Sequence, residues 1–159
     1  MKFSYTSLTA AVLVVDFVTL ILHRIFDFGS SLSVWYTKFG ITAVLSDCLI
    51  IVIGILIADF FVPGASALKL AGASVIVQMI HDILFYLAVI IPIPLGHNAM
   101  IDLFKQYAKE NGGSILVADA AMIASTVLLT DYYEGLNPKL VVFIGLVALY
   151  GLTYSIYTK

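Results

Sequence analysis

The chain has 159 residues, of which 62% are hydrophobic and 11% charged, and its net charge is −2. Soluble domains carry about a quarter of their residues as charged side chains, so a mean hydropathy of +1.07 places this chain in the membrane class. The acidic balance excludes a basic nucleic-acid-binding face. The single cysteine, Cys48, excludes an internal disulfide and any CxxC redox or zinc site.

The first apolar run, 6–26, follows Lys2 as a signal peptide would. Asp16 interrupts it, however, and Leu20-Ile21-Leu22-His23-Arg24 offers no small-residue cleavage site. It is therefore expected to be a retained first span. The connection 27–40 holds Asp27, Gly29 and three serines, then Trp35 and Tyr36, whose half-polar rings suit the headgroup level. The second span, 41–62, contains Cys48, expected to be a plain packing residue. A Pro63-Gly64 turn leads to the third span, 70–92.

The longest connection, 93–113, opens with Pro94-Leu95-Gly96-His97-Asn98. Its Met100-Ile101-Asp102-Leu103-Phe104-Lys105-Gln106-Tyr107 stretch predicts a short amphipathic helix on the membrane surface. The fourth span, 114–132, is the least apolar, diluted by Asp119, Ser125, Thr126, Thr130 and Asp131. Glu134 to Pro138 then connects it to the fifth, 139–157. Each run has the roughly 20 residues that a ~30 Å hydrocarbon core requires of a helix. None alternates as the strands of a membrane barrel must.

The expected fold class is thus all-α: one transmembrane domain, 1–159, forming a polytopic bundle of five spans. The lipid bilayer is its first partner, a homo-oligomer its expected assembly, and multi-pass membrane its location. Five spans put the termini on opposite sides. Arg24, Lys38, Lys105, Lys109 and Lys159 then share one side, and Lys2, Lys69 and Lys139 the other, which favours a cytoplasmic C-terminus.

The second and fourth spans match at an offset of 72 residues. Gly40, Asp47, Ile51, Leu56 and Asp59 fall on Gly112, Asp119, Ile123, Leu128 and Asp131, and Phe60-Phe61 falls on Tyr132-Tyr133. At an offset of 71, Tyr36 and Lys38 fall on Tyr107 and Lys109. Shared apolar composition explains the isoleucines and leucines, but not two aspartates twelve apart followed by an aromatic pair. The pattern predicts a duplicated two-helix hairpin, 8–62 and 71–133, plus one extra helix. Parallel repeats of this kind imply a pseudo-twofold axis along the membrane normal.

Charged groups inside a span cost ~2.5–3.5 kcal/mol each on insertion scales, so they are paired, hydrated or protonated, and they mark functional sites by default. Asp16 and Asp82 fall near mid-span, and Asp47 and Asp119 one to two turns inside a boundary. Ser74, Gln78 and Asp82 are four apart and share a helix face. Asp16, Thr19 and His23 form a second stripe, and Asp119, Thr126 and Thr130 a third. The Asp47 face continues through Gly54 and Ala58, where small residues allow close helix approach. Span five carries Tyr150, Tyr154 and Tyr157 on one face. His81 adjoins Asp82, but neighbours on a helix point about 100° apart, so the two need not share a site.

The candidate intramembrane polar cluster is Asp16, Asp47, Gln78, His81, Asp82 and Asp119. The histidines lack the spacing of a helical metal site, and no P-loop, GxSxG, HExxH or nucleotide fingerprint occurs. No metal, cofactor or enzymatic activity is expected. Two readings of the cluster stand side by side. One is a path for protons, cations or a small solute. The other is a structural role in which buried aspartates specify packing and assembly.

The stretches Trp35-Tyr36-Thr37-Lys38-Phe39-Gly40, His81-Asp82-Ile83-Leu84-Phe85-Tyr86 and Pro92-Ile93-Pro94-Leu95-Gly96-His97-Asn98 resemble a family of small polytopic membrane proteins of large double-stranded DNA viruses of algae and protists. The resemblance implies a setting, a viral internal membrane or an infected host's membrane. It implies no reaction and no catalytic residues.

Overall fold

A computed structural model describes residues 2–158, and Lys159, counted above among the C-terminal-side charges, lies outside the described residues. Its elements are all helical. The long helices are α1 (Tyr5–Phe26), α3 (Ile41–Phe61), α4 (Ala67–Phe85), α6 (Ser114–Glu134) and α7 (Pro138–Tyr157), and the short ones are α2 (Ser30–Phe39) and α5 (Ala99–Asn111). α4 runs on into a π-helical turn, Tyr86–Ile90, just before Pro92, which cannot continue a helix ladder. The starts follow from local chemistry. Ser4, Ser66, Asn98 and Asn137 accept bonds from first-turn amides of α1, α4, α5 and α7, and Pro138 takes the first-turn place where its missing N–H costs nothing.

Five helices, counting α4 with its π turn, are long and apolar enough to cross a bilayer, which fits a multi-pass integral membrane protein. The distribution of side chains agrees. On α3, Leu45, Leu49, Ile53 and Ile57 are all exposed at four-residue spacing, while Val44, Ile51, Ile55 and Ala58 are buried. An apolar stripe facing outward is costly in water and neutral in lipid. Interior positions instead hold Asp16, Ser74, Gln78, Thr126 and Thr130.

α1 packs against α7, α6 and α3, and α4 packs against α6 and α3, with α3 also touching α6. The four helices α1, α3, α4 and α6 therefore close a ring, and α7 lies outside it on α1. That outer contact uses small residues. A methyl group at Gly145 would come within 3.1 Å of Ala10, and one at Gly151 within 2.9 Å of the Phe17 ring, so the backbones approach as close-packed membrane helices do.

One segment departs from the sequence reading. Residues 27–40 are not a plain connection, because Ser30–Phe39 forms α2. Leu32, Trp35, Tyr36 and Phe39 recur at helical spacing. Trp35 and Tyr36 are both buried in the main core cluster. The helix expected in the connection 93–113 is present as α5, where Ile101 and Leu103 are buried, and α5 packs on α2.

The two ends of the bundle are joined differently. Glu134 at the end of α6 accepts bonds from the amide and hydroxyl of Ser4. At the other end, Arg24 donates to the carbonyls of Ser155 and Thr158, and the Tyr157 hydroxyl accepts from the Ile41 amide. In oriented vesicles of a Cys48→Ser background, single cysteines at Ser4 and Thr158 should therefore react with an impermeant thiol reagent from opposite sides. Labelling of both from one side would contradict the five-span topology.

Candidate functional site

The carboxylates lie in the half of the bundle that carries α2 and α5, in a layer that reaches the middle of α1 at Asp16. Asp47 and Asp119 lie six and five residues past the first residues of α3 and α6, about 7–9 Å into each span at 1.5 Å per residue. Asp16 lies ten residues before the end of α1. Asp82 lies eight residues before Ile90, where the π turn extending α4 ends, so it is off-centre rather than near mid-span. Gln78 holds the middle of that span. The layer is connected electrostatically from Asp16 to Asp47, from Asp47 to Asp119 and from Asp119 to Asp82.

The two short helices meet this layer from above. The Trp35 indole N–H donates to Asp47 Oδ2 at 3.0 Å, and the Tyr36 hydroxyl donates to Asp16 Oδ1 at 3.3 Å. Burial, followed by the Asp47 and Asp16 carboxylates beneath it, pushes the Tyr36 hydroxyl well above its ordinary range, which keeps it a proton donor to Asp16. Tyr107 of α5 is pushed up to about 12 by burial, then by Asp119, Asp47 and Glu110. Both tyrosines therefore stand over carboxylates. Ring contacts tie the cover together, with Trp35 centred 5.0 Å from Phe104 and Phe104 in turn 6.2 Å from Phe85.

On α4, the Gln78 amide N–H donates to Asp82 Oδ1 at 2.8 Å, and His81 Nδ1 bonds the same oxygen at 3.0 Å. Helical geometry left open whether His81 and Asp82 share a site, and this bond joins them. His81 is the outer member, its side chain 40% exposed against 17% for Asp82.

The other stripes divide. Thr126 and Thr130 are fully buried and donate to the carbonyls of Met122 and Thr126 in their own helix. His23 is buried and fixes the α1–α2 turn. Its Nδ1 accepts from the Phe28 amide, which leaves Nε2 to donate to Ser33 Oγ at 2.9 Å. Thr19 instead lines a lipid-facing groove of about 550 Å³ between α1 and α6, with Val18, Leu22, Ser125 and Tyr132. Cys48 is buried and free.

Several polar atoms in the site are buried with no hydrogen-bond partner among the described residues: Asp16 Oδ2, Asp82 Oδ2, Gln78 Oε1 and Ser74 Oγ. The last three belong to one face of α4 and descend from the carboxylate layer past mid-span. Gln78 Oε1 is aimed at the space left by Gly54, 3.5 Å from where a methyl group there would sit. Ile123 approaches the same point to 3.0 Å. Asp119 and Asp47 are both half-buried, but Asp119 makes no hydrogen bond among the described residues, where Asp47 is held by Trp35. No group of three His, Cys, Asp or Glu among the described residues is arranged to hold a metal ion.

Outside the spans, Glu110 of α5 reaches the N-terminus of α2. It accepts from the Ser30 and Ser31 amides at 2.7 and 2.8 Å and from the Ser30 hydroxyl at 2.9 Å. These bonds, from Ser31 and from Ser30 beside it, hold the carboxyl at about 2, below its ordinary 4.5. Comparison of the chain with protein-family models, curated proteins and solved structures returns no match. The site is accordingly argued from its own geometry.

Two expectations follow. Tyr36→Phe removes the one hydrogen bond the Asp16 carboxyl receives among the described residues and should destabilise the protein by about 1–3 kcal/mol in reversible mixed-micelle unfolding. In an Asp16→Leu background the same change should cost much less, and equal costs in both backgrounds would show that the bond is not formed. For Glu110 the sign follows from its lowered pKa. Its grip on α2 is complete above about pH 4.5 and fades as the pH falls toward 2. The fluorescence of Trp35, the only tryptophan, should stay constant above that range and shift to the red within it.

Proposed function

We propose that the protein is a non-enzymatic conductor of protons or another small cation along a hydrated path inside the bundle. The path begins at the carboxylate layer of Asp16, Asp47, Asp119 and Asp82, with His81 at its exposed edge. It continues down α4 past Gln78 to Ser74. The observation that carries this reading is the run of buried polar atoms without partners on α4, Asp82 Oδ2, Gln78 Oε1 and Ser74 Oγ. Buried polar groups in native proteins are satisfied by protein or by ordered water, and a polar recess is the kind of place that holds water. Three such atoms on one helix face call for a file of water.

The close approach of Ile123 and Gln78 to Gly54 favours a small conducted species over a bulky solute, because the ring helices α3 and α6 meet there. The match of Gly40 with Gly112 supports the duplicated architecture as part of this reading. Both close a short helix with nearly the same backbone, φ 53 and ψ −129 against φ 53 and ψ −132, a conformation that side chains disfavour. A duplicated hairpin would place Asp47 and Asp119 as counterparts about the path.

A second reading, a structural membrane protein, has its own support. The bonds from Trp35 and Tyr36 to Asp47 and Asp16 dock α2 on the bundle, as packing carboxylates would. The resemblance to viral membrane proteins, with a viral or host internal membrane as the setting and a homo-oligomer as the assembly, is compatible with either.

Flux in proteoliposomes against a pH or cation gradient separates them. Asn keeps the size of Asp and much of its hydrogen bonding but cannot ionise. Asp119→Asn and Asp82→Asn should each reduce flux toward that of protein-free vesicles while the protein stays folded. Wild-type flux in Asp82→Asn, with Asp82→Leu destabilised through loss of its bonds to Gln78 and His81, would replace conduction with the structural role.

A further inference from the structure

The two short helices are held to each other as firmly as to the bundle. Glu110 takes three hydrogen bonds from the first turn of α2. A methyl group at Gly29 would lie 3.1 Å from its carboxyl carbon, so α2 begins directly against the carboxylate. A carboxylate at a helix N-terminus satisfies amides that have no partner within the helix and complements the helix dipole. Four residues past Ser31, one turn along α2, Trp35 contacts Phe104 of α5 and donates to Asp47, and Tyr36 next to it donates to Asp16. Every bond that α2 makes to the carboxylate layer thus lies within two turns of the Glu110 contact. On the bundle side, α2 is tied to α1 through the bond between Ser33 and His23.

We propose that α2 and α5 form one lid over the carboxylate layer, that Glu110 is the latch that closes it, and that its release admits water to Asp47 and Asp16. The lid as a structure needs only the contacts above, and its role as a gate rests on the conduction reading. The device is one-sided. Tyr107 and Lys109 correspond to Tyr36 and Lys38, but the residue of α2 that corresponds to Glu110 is Phe39. One half of the cover therefore supplies the latch and the other half the helix N-terminus that it grips. Opening would break the bonds of Trp35 and Tyr36 to Asp47 and Asp16 together, leaving both carboxylates facing water.

Trp35, buried at 5% exposure and the only tryptophan, reports the lid directly. The full chain in proteoliposomes would be compared as wild type, Glu110→Gln and Glu110→Ala, with Glu134→Gln as a control that alters the cap at the other end of the bundle. Acrylamide quenching of Trp35 should rise several-fold in Glu110→Ala, to a smaller extent in Glu110→Gln, and not in the control. Proton flux should rise in the same order.

Unchanged quenching in both Glu110 variants would overturn the latch. Should the alanine variant fail to fold, judged by far-UV helix content and a monodisperse elution profile, the isosteric glutamine variant carries the test alone. Exposed Trp35 with unchanged flux, in a protein whose flux Asp119→Asn abolishes, would overturn the gate while leaving conduction in place. Absence of flux in every variant, wild type included, would overturn conduction and the gate together, and quenching would still decide the latch.

Discussion

A carboxylate inside a membrane-spanning helix needs a proton, a hydrogen-bond donor or water, because lipid offers none of them. This chain places four such groups in one layer of a bundle whose outer surface is Leu, Ile, Val and Phe. Much of the rest of the architecture can be read as the answer to that constraint. Lipid-facing residues cannot serve the layer, so the donors come from above, on two short helices set between consecutive spans. Trp35 and Tyr36 are suited to the task, since each combines a large apolar body with one polar tip. The ring of α1, α3, α4 and α6 brings the four aspartates together, and α7 completes the outer wall through a close contact on α1 made by small residues.

The layer is unevenly served. Asp47 and Asp16 each receive a bond from α2, while Asp82 shares its bonds with Gln78 and His81 on its own helix. Asp119 relies on its partial exposure. This unevenness separates the two readings of function by residue. The carboxylates bound by α2 suit docking, whereas Asp82, Asp119 and the partnerless atoms of α4 suit a hydrated path. One protein can use both, with the docked pair holding the cover and the less restrained pair lining the proposed path.

Much of this was legible in the sequence because spans are encoded by length and hydropathy alone. The five helices fall within a few residues of the runs read from composition, and the stripe of Ser74, Gln78 and Asp82 faces inward as its spacing required. What escaped was local geometry. The segment from Asp27 to Gly40 looks like a loop because glycine and serine crowd its start, although Leu32, Trp35, Tyr36 and Phe39 carry a helical period. Trp35 and Tyr36 suggested headgroup contact because amphipathic rings favour interfaces, a preference that says nothing of their bonds to Asp47 and Asp16. The partnership of His81 with Asp82 was left open by the sequence. The angle between adjacent Cα–Cβ bonds does not limit where an imidazole nitrogen can reach. No sequence pattern announces Glu110 as the cap of α2, since the two lie 80 positions apart and meet only when α2 and α5 pack.

The central claim is that the carboxylate layer and the α4 stripe below it are wet inside an otherwise apolar bundle. Water-edited solid-state NMR of the full chain in bilayers, with carbon-13 at the aspartate carboxyl and glutamine amide carbons, measures this directly. The account predicts that magnetisation passes from water to Asp82 and Gln78 nearly as fast as to the exposed Asp131. Transfer to Asp131 alone, with Asp82 and Gln78 as slow as the buried aliphatic core, would contradict it.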